Sequence, residues 1–189
     1  MKVSTKMIVQ TALLLAICIA SQFMKNLSVY LTGPIVNITM IMAVLMIGIR
    51  SGMIIAILSP LTAFWIAPSP IMMGIPLVIP CIMVGNVLLV SSIWLFHNKI
   101  MTKTVKTKLR VAIGMGIGAV IKAAFMGVSI VLILLPMYSG NIAVPEQKLN
   151  IILNTARVTF SVTQLITAVI GCAISYIVWL RIKKTIRED

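Results

Sequence analysis

Charge is nearly absent from the long apolar runs of this chain, and that absence limits what the chain can fold into. Its 189 residues carry a formal charge of +13 with only three carboxylates, none of them inside an apolar run. Glu146 sits in a polar connection, and Glu188 and Asp189 close the sequence. The basic residues form patches: Lys2 and Lys6; Arg50; Lys99, Lys103, Lys106, Lys108 and Arg110; then Arg181, Lys183, Lys184 and Arg187. Lys25 and Lys148 fall in connections, and only Lys122 and Arg157 interrupt apolar sequence. Basic patches flanking apolar runs are the pattern of a membrane protein under the positive-inside rule, with two embedded cations left to explain.

Composition agrees. Hydrophobic residues make up 60% of the chain, and a mean hydropathy of +1.14 lies outside the range of ordinary soluble domains. A sequence pI near 10.3 ordinarily suggests nucleic acid. Here the basic residues flank apolar runs rather than alternating with aromatics, so no nucleic-acid partner is expected.

A helix needs roughly 20 mostly apolar residues to cross about 30 Å of hydrocarbon. Six segments fit: Met7–Met24, Ile35–Ile49, Gly52–Ala67, Ile75–Phe96, Val111–Met137 and Ile151–Leu180. They predict an all-α integral membrane protein, one bundle of six transmembrane helices filling residues 1–189. The second and third segments are short and the last two long, so tilt and interfacial ends must absorb the mismatch. With the amino terminus cytoplasmic, an even number of crossings returns the carboxyl terminus to the same side. All four basic patches then face the cytoplasm, and the outer connections hold only Lys25, Glu146 and Lys148. A rival reading takes Lys2, Lys6 and the run up to Cys18-Ile19-Ala20 as a signal peptide. Cleavage would leave five spans and reverse the charge agreement, so both termini are expected in the cytoplasm.

Several chemistries are excluded. Cys18, Cys81 and Cys172 are scattered singly through apolar runs, the pattern of small core residues rather than a disulfide framework or a zinc site. His97 is the only histidine and has no nearby carboxylate, so neither a metal site nor a catalytic triad is expected. No G-x-x-x-x-G-K-[ST] motif is present. Gly114-Met115-Gly116-Ile117-Gly118 lies inside an apolar helix; Gly114/Gly118 and Ala119/Ala123/Gly127 read instead as seams for close helix contact. Without embedded Asp or Glu there is no proton relay, and no cluster for metal or acid–base catalysis. An enzyme is therefore not expected, nor a cofactor or metal. Uphill transport would draw its energy from a partner, with sodium coupling through carbonyls and hydroxyls left open.

The remaining polar residues are the candidates for function. Lys122 lies twelve residues beyond Arg110, about 18 Å along a helix and so close to mid-membrane. An ammonium at that depth costs roughly 3 kcal/mol or more and should face the bundle interior, paired with a backbone carbonyl, water or an anionic ligand. In the last span, Asn154, Arg157, Ser161, Gln164, Ala168, Gly171 and Ser175 step by three and four along one helical face. Its outer half suits a polar cavity and its inner half close packing. Arg157 either joins that cavity or snorkels to the headgroups. Asn37 and Asn86 are lone amides in apolar runs, where each must bond between helices or meet solute. Trp65 and Tyr138 lie near outer span ends, as an aromatic belt or as stacking groups for a ring. Gly33-Pro34 opens the second span, Ser59-Pro60 interrupts the third, and Pro68, Pro70, Pro76 and Pro80 crowd the next connection. Broken helices near one face are either solute-binding backbone or tight external turns.

The first span carries Ala12, Ala16 and Ala20 at intervals of four, a flat strip against which another helix can pack. With six spans, both ends inside and this length, the chain resembles the substrate-binding S component of energy-coupling factor (ECF) transporters. The Gly33–Asn37, Gly48–Gly52, Ser59-Pro60 and Gly85-Asn86 stretches look like that family's central region. The resemblance covers essentially the full chain, through motifs that also occur in other membrane helices. It implies that Ala12 and Ala16, extended by Ala20, dock on a transmembrane T component driven by two ATPase subunits. It also implies a vitamin or related micronutrient bound near the outer face, in a bacterial cytoplasmic membrane. The implied pocket lies between the fourth, fifth and sixth spans, beneath the Lys25–Gly33 and Pro68–Pro76 connections. Lys122, Arg157, Gln164 and Asn86 are its leading contacts, followed by Asn37, Trp65, Tyr138 and Asn154, and the two cations suggest an anionic cargo. A stand-alone secondary carrier or channel and a non-transporting scaffold are the rival readings.

Overall fold

The computed structural model describes residues 4–24, 28–100 and 105–188, side chains only to Lys183. Lys2, Lys25, Lys103 and Asp189 lie outside the described residues, as do the side chains of Lys184, Arg187 and Glu188. Ser4 starts helix α1 (Thr5–Gln22), its hydroxyl accepting the Met7 N–H at 3.3 Å. Helix α2 (Val29–Met42) continues into a π-helical segment, π1 (Ala43–Ile47). Gly48 alone separates π1 from α3 (Ile49–Ile66), at φ 135°, a left-handed conformation that favours glycine. A short α4 (Pro70–Gly74), capped by Ser69, precedes α5 (Val78–Asn98). Helix α6 (Thr107–Met126) runs through π2 (Gly127–Leu134) into α7 (Leu135–Tyr138) and a 3-10 turn, Ser139–Asn141. Helix α8 (Glu146–Val158) runs through π3 (Thr159–Thr163) into α9 (Gln164–Glu188).

Six of these continuous helices are long and apolar enough to cross a membrane: Thr5–Gln22, Val29–Ile47, Ile49–Ile66, Val78–Asn98, Thr107–Asn141 and Glu146–Lys183. This is the architecture expected of a multi-pass membrane protein. The second span begins six residues before the expected Ile35. Pro34 does not open it but lies inside α2, and Pro60 lies inside an unbroken α3. Both corrections have one cause. A proline removes a single amide donor, and neighbouring groups can satisfy the carbonyl it frees while the helix continues. The carbonyl four residues before Pro60 belongs to Ala56, and the Asn86 side-chain amide donates to it at 3.2 Å.

Two apolar clusters fill the bundle. One gathers Cys18, Met40, Ile55, Leu89, Ile93, Met115, Ala168 and Trp179. The other gathers Ile75, Val78, Met126, Ile130, Leu135, Ala156 and Phe160. Large apolar side chains such as Val9, Leu13, Leu132 and Ile177 are exposed around the outside, as a lipid-facing surface requires.

Close helix contacts depend on glycine. A Cβ on Gly114 would lie 2.8 Å from Phe96 Cβ, and one on Gly118 3.0 Å from Leu89 Cδ1, so the predicted seam on α6 meets α5. On α9, a Cβ at Gly171 would come within 2.7 Å of Asn37 Cβ on α2, and one at Gly33 within 2.8 Å of Thr167. Gly116, by contrast, faces open space. Gly171→Ala should therefore push α2 from α9 and destabilise the protein by about 1–3 kcal/mol. Gly116→Ala should be neutral or stabilise by up to about 1 kcal/mol, because helical glycine is entropically unfavourable. Thermal unfolding of the two variants in one detergent checks the contrast.

Candidate functional site

All six long helices converge on one cavity of about 380 Å³. Helix α1 contributes its last residue, Gln22; α2 its first turns, from Val29 to Asn37; α3 its last turns, with Ser59, Pro60 and Ala63. Helix α5 adds Ile82 and Asn86, α6 adds Lys122, and the last long helix adds Ile152, Thr155, Ala156, Thr159, Phe160 and Gln164. Ser69 to Met72, around α4, complete the wall. The alternation of helix ends places the cavity away from the basic residues that start α1, α3 and α6 and end α5 and α9.

Lys122 is 3% exposed, as its depth predicted. Its Nζ donates to Asn37 Oδ1 at 2.7 Å, which joins α6 to α2. The partner is a side-chain carbonyl, which differs from the expected backbone carbonyl, water or ligand. An ammonium has three donors, and a hydrogen bond to a charged group is worth more than a neutral one. Asn37 is itself 1% exposed, so this lone amide both joins helices and reaches the cavity.

A second polar group crosses α1, α3 and α5. Gln22 Nε2 donates to the Ser59 carbonyl at 2.9 Å. Asn86 Nδ2 donates to the Ala56 carbonyl at 3.2 Å and lies 3.4 Å from Ser59 Oγ. Pro60 thus acts indirectly: it frees the Ala56 carbonyl that anchors Asn86. Around these amides and the ammonium the walls are apolar, formed by Val29, Val36, Pro60, Ile71, Met72, Ile82, Ile152 and Phe160.

Of the eight sequence-predicted contacts, the cavity brings together Lys122, Asn37, Asn86 and Gln164. The other four lie elsewhere. Arg157 is exposed, Nη1 donating to Asn154 Oδ1 at 3.0 Å. Asn154 is exposed too and edges a separate shallow groove with Ser28, Val29 and Tyr30. Trp65 is 84% exposed, and half-buried Tyr138 packs against the apolar cluster around Ile130. Helix register accounts for the first two. The predicted stripe assumed 3.6 residues per turn throughout, but π3 inserts one extra residue and rotates everything before it by about 100°. Ala156 and Phe160 turn inward in place of Arg157. In the α9 half, beyond the insertion, the stripe holds, with Ala168, Gly171 and Ser175 all buried.

Sequence reasoning missed Gln22 and Ser59 as site residues. An amide closing an apolar span was the available signal for Gln22. The cavity is also broader than the expected cleft between the fourth, fifth and sixth spans, since the first three line it as well. Of the two expected covering connections, Ser69–Met72 and Val29–Gly33 reach the cavity. Lys25 lies outside the described residues. The expected docking residues Ala12, Ala16 and Ala20 are all exposed along α1, opposite its buried Thr11, Cys18 and Gln22.

Among the described lining residues there is no Asp, Glu, His or Cys. The cavity offers positive charge and hydrogen bonding on an apolar wall, a combination compatible with a small solute. No family model, curated protein or solved structure matches the chain.

If the ammonium depends on Asn37, Asn37→Leu should destabilise the protein by about 1.5–3 kcal/mol, because it leaves the charge buried and unpaired. Combining it with Lys122→Met should recover most of that loss, since two apolar groups need no partner. A thermal-unfolding double-mutant cycle measures the coupling.

Proposed function

We propose that this chain is the substrate-binding S component of an ECF-type importer in a bacterial cytoplasmic membrane. It takes a vitamin-like, anionic micronutrient from outside and releases it inside with energy from partner ATPases. The observation that carries this reading is the cavity at which all six long helices meet, with Lys122 as its buried cation. A bundle built around a solute-sized, mostly apolar hollow with a few placed polar groups suits capture better than scaffolding.

Two further observations support it. The chain has no P-loop motif and no carboxylate in its long apolar runs, so a cycle driven by ATP needs a motor on another subunit. The outward face of α1 exposes Ala12, Ala16 and Ala20, a smooth strip on which helices of a T component can pack closely. In this reading both termini and the basic patches lie in the cytoplasm, and the cavity faces outward.

The test is co-expression of the tagged chain with a T component and two ATPases. A stoichiometric complex is expected to co-purify. Ala16→Leu should reduce its yield at least about tenfold, the effect of losing roughly 1.4 kcal/mol or more of packing, without altering solute binding by the isolated chain. Nucleotide-independent flux through liposomes containing this chain alone would support a secondary carrier instead. For topology, single cysteines are placed in a cysteine-free background at two exposed positions. Gly140→Cys should react with an impermeant maleimide in intact cells, and Ser4→Cys only after lysis. The opposite labelling would overturn the orientation.

A further inference from the structure

Gln22 has one half of its amide satisfied and the other half without a partner. Its Nε2 faces the Ser59 carbonyl at 2.9 Å, and a carbonyl accepts only, so the amide cannot be flipped. The remaining atom, Oε1, has no hydrogen-bond partner although the residue is 1% exposed and lines the cavity. An acceptor taken out of water and left unmatched is costly, and native structures rarely keep one without a use. Lys122, on another wall of the same cavity, gives one of its three donors to Asn37 and brings the site's positive charge.

From this pair we infer the chemical class of the cargo: a compact organic acid whose anionic group meets Lys122 while an N–H or O–H on its apolar body donates to Gln22 Oε1. The inference rests on reading the cavity as the cargo site, and it adds the donor requirement. The volume of about 380 Å³ limits the size, being roughly a dozen water volumes at about 30 Å³ each. Apolar walls at Val36, Ile82 and Phe160 suit a ring or branched chain between the two polar ends. Acids lacking a donor leave Gln22 unmatched, and cations meet Lys122 with like charge; the cavity selects against both.

The full chain in lipid nanodiscs is titrated calorimetrically with two matched pairs. These are 4-hydroxyphenylacetate with 4-methoxyphenylacetate, and indole-3-acetate with 1-methylindole-3-acetate. Indole-3-acetamide serves as the uncharged control. Within each pair only the donor hydrogen is replaced by methyl, at two different distances from the carboxylate. At least one parent acid is expected to bind, and its methylated partner about ten- to a hundredfold more weakly. The amide should also bind more weakly than its acid. Gln22→Leu should bring the pair to within about threefold, and Lys122→Met should remove the preference for acid over amide. Equal binding of parent and methylated acids would overturn the inference. So would a methyl effect that survives Gln22→Leu, or no binding by either parent acid at millimolar concentration. Should Gln22→Leu not fold, the contrast between parent and methylated acids in the native chain still decides. The importer reading is judged separately by ATPase association. Donor-dependent binding by a chain that assembles with no ATPase would refute that reading and leave the cargo class standing.

Discussion

A single buried ammonium organises this bundle. Lys122 is buried near the middle of a long apolar helix, and a charge there is tolerable only with a well-placed partner. Asn37 is that partner, so α2 must approach α6 closely enough for a 2.7 Å hydrogen bond. The tight glycines follow from this demand. Gly171 lets α9 lie against the backbone of α2 at Asn37, and Gly85 leaves room beside the Lys122 stem and Met126. Small residues at these points are a geometric condition for holding the charge, and the charge in turn ties helices far apart in sequence.

The second organising feature is irregular helix geometry near the cavity. Pro60 frees a carbonyl that Asn86 occupies, and π3 turns Ala156 and Phe160 toward the hollow. Backbone deep in a bilayer has no water to satisfy it, so such departures persist only where protein groups supply the partners. Here those partners line the cavity, and the same residues that repair the backbone furnish the polar part of the site. This economy explains why a cavity so poor in charged residues still has defined chemistry.

Helix α1 connects the two surfaces on which the proposed function depends. Its buried face ends in Gln22 at the cavity, while its outer face presents the alanine strip at Ala12, Ala16 and Ala20. A rigid helix is a physical route by which occupancy at one face can bias packing at the other. In the proposed importer, this arrangement puts cargo recognition and motor docking on a single element.

Helix count, helical class and the burial of Lys122 were readable from the sequence, because each depends on local hydropathy and on spacing along one helix. The same reasoning identified Asn37 and Asn86 as costly amides, since an apolar neighbourhood is itself a local property. The partner of Lys122 was not readable: Asn37 is 85 positions away, and pairing at that separation is set by how helices pack. Arg157 and Gln164 show the boundary within one helix, where the regular three-and-four stripe is cut by an inserted π turn that no residue pattern announces. Gln22 shows it between helices, since its unmatched oxygen has meaning only once α3 has claimed the other end of its amide. Hydropathy along the chain determined which segments leave water; the packing of those segments against one another decided which polar atoms they share, because hydrogen bonds between helices depend on register, rotation and close approach that one-dimensional order does not encode.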